Sequence, residues 1–222
     1  MKLLLKALIF FINIIFPPCC LICGKKINDI WCEECKNEIY LSAVFKINTN
    51  IESKYYFDKK IYIFQYKDKI RNLILEYKFK DKSYFYKIFS EIIIKNQKIY
   101  RILKSYDIII PVPIHKKRKN ERGYNQSELI TRDIAIKVEN LKFENEIIKK
   151  KINNKKQSSL TKEERRRNVE DVYEIINKDK IINKKIVLFD DIYTTGSTVN
   201  EISKILKLNG AREVLVLTIA KD

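Results

Sequence analysis

The stretch that decides the fold reads IVLFDDIYTTGST and occupies residues 186–198. Its first four residues form a continuous apolar run, which predicts a strand that is covered on both faces. Two carboxylates, Asp190 and Asp191, follow the run, and a loop with one glycine then leads into a helical pattern over 198–208. Because ligands bind beyond the carboxyl ends of the strands in a parallel α/β sheet, the stretch predicts a binding site at the two acids.

The loop after the acid pair has the composition of an anion site. Backbone N–H groups at a helix N-terminus, together with hydroxyl side chains, bind phosphate groups well. Adjacent carboxylates accept hydrogen bonds from neighbouring hydroxyl groups, so the combination points to a sugar phosphate. The loop residues that we expect to hold the phosphate are Thr194, Thr195, Gly196, Ser197 and Thr198.

Other interpretations of the acid pair are weaker. A P-loop ATPase would need a G-x4-G-K-[ST] segment, and the chain contains none. A receiver domain carries its acidic pocket near the start of the domain, whereas only 32 residues follow Asp190 here. A plain solvated strand end, with residues 194–198 serving only as a helix cap, stays open as an alternative.

The rest of the chain extends the α/β pattern. Apolar runs that predict strands alternate with segments of helical spacing, which indicates a parallel sheet with crossover connections. Residues 41–59 are interpreted as a polar connection, and 143–152 are ambiguous but contain a strand. The predicted strands are 61–64, 108–110, 186–189 and 214–219, and the predicted helices are 70–79, 84–94, 125–139 and 198–208.

All five cysteines lie between residues 19 and 35. Cys20 and Cys23 form one C-x2-C pair, Cys32 and Cys35 form a second, and eight residues separate the two pairs. Four thiolates at this spacing predict a closed, structural zinc site, and Gly24 suits the turn that such a pair needs. Cys19 could replace Cys20 as a ligand. A redox C-x2-C motif and an iron–sulfur cluster remain alternatives, and the clustering itself favours a reducing, cytoplasmic setting.

The net charge and the apolar N-terminal segment indicate which partners the protein could bind. Lys and Arg number 45 against 28 Asp and Glu, so the net charge is +17, which favours nucleic acid, anionic lipid or phosphorylated ligands unless it reflects lysine-rich codon bias. The sequence predicts an apolar helix over residues 1–16 that ends at Pro17 and Pro18. We expect a core or interface helix, with a membrane-surface anchor as the alternative. A secretory signal lacks its cleavage site here, and the run is too short for a bilayer.

The 186–198 stretch resembles the phosphoribosyl pyrophosphate (PRPP) motif of type I phosphoribosyltransferases, although Tyr193 is bulkier than the aliphatic residue typical there. The wider pattern resembles the ComF family, which is linked to competence and DNA uptake. That resemblance runs along essentially the whole chain. Besides the apolar start, the paired cysteines and the PRPP motif, it rests on Pro111-Val112-Pro113, on Arg122-Gly123-Tyr124-Asn125-Gln126, and on Gln157, Leu160, Arg165 and Asn168.

The resemblance implies an α/β fold with a type I phosphoribosyltransferase-like parallel sheet and flanking helices over 60–222, plus a small zinc module over 1–45. Asp190 and Asp191 would contact the ribose hydroxyls, and residues 194–198 would hold the 5′-phosphate. Mg²⁺ would accompany PRPP. Residues 153–168 would form a mobile lid. The remaining implied contacts are Pro111, Val112 and Pro113 as a pyrophosphate loop, and Lys155 and Arg165 as lid cations that assist catalysis.

Some assignments stay open between two interpretations. Residues 122–126 and Gln157 would contact the acceptor or nucleic acid, while Asn125 could simply cap a helix. His115 is a candidate base, but a lone histidine is more often an ordinary hydrogen-bonded residue. The whole chain is accordingly expected to be either a Mg²⁺-dependent phosphoribosyltransferase or a non-catalytic factor. That factor would handle single-stranded DNA with a helicase-like partner, and its PRPP site would be regulatory or relict.

Overall fold

The computed structural model describes residues 17, 19–80, 82–152 and 172–222, except the side chain of Arg122. The expected helix over 1–16 and the expected lid over 153–168 lie outside these residues. The chain divides into two compact units, Met1–Ser42 and Ala43–Asp222. In the described part of the chain, no helix has the length and apolar character needed to cross a membrane.

The first unit is built around the cysteines. Helix α1 (Glu33–Leu41) follows Cys32 directly, and Cys19 forms an isolated antiparallel bridge with Lys26. Trp31 is almost fully buried, with its ring 5.9 Å from that of Tyr40.

The second unit contains an α/β sheet. The strands of this unit within the described residues are β1 (Ala43–Asn48), β2 (Lys59–Gln65), β3 (Ile108–Pro111), β4 (Lys142–Phe143), β5 (Ile148–Lys150), β6 (Tyr173–Ile175), β7 (Lys185–Tyr193) and β8 (Glu213–Lys221). Six of them pair in the order β1-β2-β8-β7-β3-β4, with β1 antiparallel to β2 and every other neighbouring pair parallel. Strands β5 and β6 form a separate antiparallel pair.

Helices pack on this sheet through their apolar faces, as the periodicity predicts. In α2, for example, Ile70, Leu73, Ile74 and Tyr77 are the buried residues. The helices of the second unit within the described residues are α2 (Asp68–Phe79), α3 (Tyr86–Lys95), α4 (Gln97–Leu103), α5 (Lys116–Arg122), α6 (Gln126–Lys137) and α7 (Ser197–Leu208), with short 3-10 turns at Ser83–Phe85 and Lys178–Lys180.

The central strands account for the long apolar runs in the sequence. Residues 186–189 of β7 and 214–217 of β8 are fully buried, since both faces of these strands are covered. The expected α/β class, with a parallel sheet and flanking helices, is confirmed. Strand β3 ends at Pro111, opposite Phe189 of β7, so the segment that follows β3 lies beside the last residues of β7, which begin with Asp190.

The interpretation of residues 41–59 as a polar connection is wrong for 43–48, which form strand β1. This edge strand is only half-buried, so it lacks the continuous apolar run that marks a central strand. Its pairing with β2 is interrupted between Ala43 and Lys46, where Phe45 has a φ of +43°. The apolar side chain of Val44 is exposed, so the sequence of this strand lacks the apolar–polar alternation by which a strand is identified.

Candidate functional site

The acid pair lies at the carboxyl end of β7, as predicted. Both carboxylates are partly buried, and the backbone N–H of Asp191 donates to Oδ1 of Asp190 over 2.9 Å. Burial raises the pKa of Asp190 to about 7, and the negative charge of Asp191 acts in the same direction. The pKa of the Asp190 carboxyl is therefore close to neutral pH.

Residues 194–198, which we call the hydroxyl loop, lead from the acid pair into the N-terminus of α7. Gly196 adopts a φ of +77°, and the helix begins at the next residue. The hydroxyl oxygens of Thr195 and Ser197 lie 2.8 Å apart, and the backbone N–H of Ser197 donates to the Thr195 hydroxyl over 3.3 Å. Hydroxyl groups and backbone amides thus converge at the positive end of a helix dipole, beside two carboxylates.

Tyr193, which is bulkier than the aliphatic residue typical of the motif, lies directly beneath this loop. Its buried ring packs edge-on to Phe57, with 6.5 Å between ring centroids, and the Lys60 ammonium lies 4.2 Å from its centroid. A Cβ atom at Gly196 would approach the Tyr193 phenol oxygen to 2.3 Å. Glycine is consequently required at this position by space as well as by backbone conformation.

Replacing Gly196 by alanine should destabilise the protein more than the same change at Gly123. Both glycines have a φ near +75°, but a Cβ at Gly123 meets no atom within 4 Å. The Gly123→Ala variant should lose about 1–2 kcal/mol of unfolding free energy through the left-handed backbone alone. In Gly196→Ala, displacement of Tyr193 should add at least about 1 kcal/mol. Urea unfolding measures both, and equal losses would contradict a steric role for Tyr193.

Cations surround the acid pair. The Lys78 ammonium lies 2.6 Å from Oδ2 of Asp191, and the two side chains are only 15% and 17% exposed. Lys150 faces Asp190 from β5, and burial together with the nearby Arg118 lowers the pKa of Lys150 to about 8. These three residues could not be identified from the sequence, because nothing distinguishes them among its 45 lysines and arginines.

The segment after β3 reaches the same edge. The backbone N–H of Val112 donates to the carbonyl of Phe189 over 2.8 Å, which places the expected pyrophosphate loop, Pro111, Val112 and Pro113, beside the acid pair. His115 caps α5 by accepting from the N–H of Lys117 over 3.2 Å. That contact is the ordinary hydrogen-bonded role expected of a lone histidine.

The residues expected to contact an acceptor have clear structural contacts. Gly123 ends α5 with a φ of +75°, and Asn125 caps α6 by accepting from the N–H of Ser127 over 3.1 Å. The Asn125 amide also donates to the Val112 carbonyl over 3.2 Å, and both Asn125 and Gln126 are buried. Gln157, which was also expected to contact the acceptor, lies outside the described part of the chain, and so do the expected lid cations Lys155 and Arg165.

The four cysteines of the two pairs converge in the first unit. The sulfur atoms of Cys20, Cys23, Cys32 and Cys35 all lie within 4.8 Å of one another. The distance between the Cys23 and Cys32 sulfurs, 3.7 Å, matches the edge of about 3.8 Å expected for a tetrahedron with metal–sulfur bonds of about 2.3 Å. Cys19 is exposed and outside the cluster, so Cys20 is the member of this pair in position to bind.

Local backbone structure brings the sulfurs together. The N–H of Gly24 donates to the carbonyl of Cys20 over 2.9 Å, closing a turn in which Gly24 has a φ of +78°. Cys32 precedes the first residue of α1, and Cys35 lies in its first turn, so both sulfurs leave the helix start on one side. Four closely placed thiol sulfurs are suited to a soft or borderline metal ion such as zinc.

Comparison with known proteins finds no matching family model. The chain is 29% identical to competence protein F of Haemophilus influenzae over 206 residues, which cover 90% of this chain and 88% of that protein. It is 30% identical to competence protein ComFC of Streptococcus pneumoniae over 159 residues, or 72% and 66% of the two chains. It is also 34% identical to the DNA utilization protein YhgH of Escherichia coli O157:H7 over 110 residues, about half of each chain.

Similar solved structures include a hypoxanthine phosphoribosyltransferase from Staphylococcus aureus, with 13% identity, a TM-score of 0.38 and coverage of 64% of this chain and 65% of that one. Phosphoribosylpyrophosphate synthetase from Mycobacterium smegmatis has 12% identity and a TM-score of 0.32 over 60% and 33% of the chains. The strand, the acid pair, the loop and the helix that the sequence predicts over 186–208 are present at those residues. Together with the competence relatives that match along most of its length, this arrangement shows that the chain belongs to the ComF family.

Proposed function

We propose that the protein binds PRPP at the carboxyl end of β7 and transfers its phosphoribosyl group to a nitrogen nucleophile. The observation that carries the proposal is the juxtaposition of Asp190 and Asp191 with the hydroxyl loop at the start of α7. The carboxylates suit the two ribose hydroxyls, and the loop suits the 5′-phosphate. Both features occur at the one edge of the sheet where α/β proteins bind ligands.

The charges around the site suit the other end of the ligand. Lys78, Lys150 and Arg118 bring positive charge to the acid pair, and the loop after β3 lies alongside it. A leaving pyrophosphate gains negative charge as its bond to the sugar breaks, so fixed cations and backbone amides at that end would lower the barrier. Lys155 and Arg165 would add charge from the proposed lid over 153–168.

In the proposed reaction, the bond between C1 of the ribose and the pyrophosphate oxygen breaks, and its electron pair leaves with pyrophosphate. The acceptor nitrogen forms the new bond to C1 and gives up a proton to solvent. Asp190 and Asp191 hold the ribose by its hydroxyls while positive charge develops at C1. Residues 122–126 and Gln157 are the proposed contacts to the acceptor.

Two metal ions belong to the proposal. Mg²⁺ would enter with PRPP and reduce the repulsion between its phosphates, and the oxygen donors at the strand end are of the class that Mg²⁺ accepts. Zinc would be held by Cys20, Cys23, Cys32 and Cys35, whose spacing fits a tetrahedral ion. As a closed site with four protein ligands, it would stabilise the first unit and take no part in the reaction.

The test is calorimetric titration of the protein with PRPP in the presence and absence of Mg²⁺, followed by assay of pyrophosphate release with a panel of nitrogen nucleophiles. The proposal predicts Mg²⁺-dependent binding, and release with at least one acceptor. Binding without release for any acceptor would leave a regulatory or relict site. The absence of binding would refute the proposed function.

Single-stranded DNA binding is a second candidate function, in line with the competence and DNA utilization names of the relatives. The structural feature that favours it is helix α5, where Lys116, Lys117 and Lys119 are exposed close to Arg118. Proteins of this charge, +17, bind nucleic acid phosphates by releasing counterions. Arg118 of α5 lies near the proposed PRPP pocket, and we expect DNA to contact the three exposed lysines of this helix outside that pocket.

A fluorescent single-stranded oligonucleotide should bind with an affinity that falls steeply as salt rises. Changing Lys116, Lys117 and Lys119 to Gln should reduce the log–log salt slope by about 2, since each phosphate contact contributes about 0.7. A control with the exposed Lys98, Lys178 and Lys184 changed to Gln carries the same loss of charge and should change it less. PRPP should not compete. Equal effects of the two triple variants would contradict a specific role for α5.

A further inference from the structure

Lys78 forms an ion pair with the acid pair, and its position is determined by contacts on two sides. Its ammonium lies 2.6 Å from Oδ2 of Asp191, in a pair that is mostly shielded from solvent. Ion pairs between exposed side chains contribute little, but a shielded pair at this distance constrains both partners. Asp191 therefore has a fixed partner on α2, an element distant in sequence from the PRPP motif.

The backbone that carries Lys78 is held by residues 124–126. The Tyr124 hydroxyl donates to the carbonyl of Tyr77 over 2.6 Å, and the Gln126 side-chain amide donates to the carbonyl of Lys78 over 3.5 Å. In return, the Tyr77 hydroxyl donates to the carbonyl of Gln126 over 2.8 Å. These bonds bind the last turn of α2, which carries Lys78, to the start of α6.

The same segment also holds the other side of the site. Between Tyr124 and Gln126, Asn125 donates to the carbonyl of Val112, and the N–H of Val112 donates to the carbonyl of Phe189. Phe189 is the residue immediately before Asp190. A continuous series of hydrogen bonds thus runs from Lys78 through residues 124–126 and the loop after β3 to the strand end that carries its ion-pair partner.

We propose that Lys78 is a positioning residue for the acid pair, and that Tyr124, Asn125 and Gln126 serve to hold it against Asp191. This inference rests on the proposed function, because the carboxylate geometry that Lys78 maintains is the one that would receive the ribose hydroxyls. It gives residues 124–126 a task in the interior of the site, separate from any contact with an acceptor.

Charge balance gives Lys78 a second effect on the pair. Two adjacent carboxylates repel one another in a shielded site, and Lys78 opposes the rise in the pKa of Asp190 that burial and Asp191 cause. Lys150 and Tyr173 also face Asp190, with Arg118 near both. Removal of Lys78 should accordingly leave the other neighbours in place and raise the pKa of Asp190 above about 7.

The test compares Lys78→Met, Lys78→Arg, Tyr124→Phe and the control Lys80→Met, which removes an exposed lysine two residues further along the chain. Calorimetry with PRPP and Mg²⁺ should show at least tenfold weaker binding for Lys78→Met and an intermediate loss for Tyr124→Phe. Affinity within about threefold of wild type is expected for Lys78→Arg and Lys80→Met. Thermal unfolding of each variant accompanies the titrations.

A readout without ligand separates this inference from the proposed function. Carboxyl ¹³C NMR of aspartate-labelled protein follows the titration of Asp190, whose pKa should rise in Lys78→Met and stay unchanged in Lys80→Met. Wild-type protein that fails to bind PRPP would refute the proposed function, while the NMR shift still tests Lys78. Wild-type affinity and an unchanged titration in Lys78→Met would overturn the inference. If Lys78→Met does not fold, Tyr124→Phe with no effect on either readout would overturn it.

Discussion

Changing both Asp190 and Asp191 to Asn should weaken the binding of PRPP with Mg²⁺ at least tenfold and leave the second unit folded. Each carboxylate would accept hydrogen bonds from ribose hydroxyls, and a hydrogen bond to a charged group contributes about 1.5–3 kcal/mol. Because 1.4 kcal/mol corresponds to a factor of ten, loss of even one such contact gives the expected change. Calorimetric titration measures the affinity, and circular dichroism reports the fold.

A matched control replaces two exposed aspartates, Asp179 and Asp222, by Asn and should retain wild-type affinity.

The pH dependence of PRPP binding provides a second comparison between the wild type and the double variant. A carboxyl with a raised pKa is protonated below that value, so wild-type affinity should increase as the pH rises through about 7. The double variant should lack the part of this increase that Asp190 causes. An unchanged affinity in the double variant would contradict the assignment of the acid pair.

Purified protein should contain about one zinc ion per chain, and Cys32→Ser should lose it and loosen residues 20–41. The sulfurs of the cluster lie within 4.8 Å of one another, as a closed site of four thiolates requires. Metal binding to such a site supplies about 10–16 kcal/mol of folding free energy in comparable small units. Elemental analysis measures the zinc, and amide hydrogen exchange measures the protection of residues 20–41.

Cys19→Ser is the matched control, because Cys19 is the neighbouring exposed cysteine outside the cluster. It should retain both the metal and the exchange protection. Two results would contradict the zinc assignment. One is native protein that is folded through residues 20–41 without metal, and the other is loss of metal in Cys19→Ser as complete as in Cys32→Ser.

Features encoded by neighbouring residues could be predicted from the sequence. The buried run at 186–189 and the acids that end it lie within one strand, so the strand and the position of its carboxyl end follow from local pattern alone. The two C-x2-C pairs likewise bring their own turns, and the structure places their four sulfurs together. In both cases the chemistry and the local geometry are specified within a short segment.

Features that depend on distant contacts could not be predicted. Lys78 is 113 positions from Asp191, and only the packing of α2 brings the two together. The sequence marks Tyr124, Asn125 and Gln126 as part of a motif. Their hydrogen bonds to Tyr77, Lys78 and Val112 can be identified only in the folded structure. Their composition of hydroxyl and amide groups suits ligand contacts and internal hydrogen bonds equally well.

Tyr193 illustrates a departure from a motif that the structure explains. From the sequence, a bulky residue before the loop is only an anomaly. In the structure its ring fills the space beneath the loop, and the absence of a side chain at Gly196 makes room for its phenol oxygen. The large side chain of Tyr193 and the missing side chain of Gly196 are therefore complementary in shape, and each residue explains the other.

The most direct measurement is a crystal structure of the protein with PRPP and Mg²⁺ bound. The proposed PRPP site requires the 5′-phosphate at the backbone amides and hydroxyls of residues 194–198, with the ribose hydroxyls within hydrogen-bond distance of Asp190 and Asp191. The pyrophosphate should lie toward the loop after β3. A ligand bound with its phosphate away from the start of α7, or with no hydroxyl contact to either carboxylate, would contradict it.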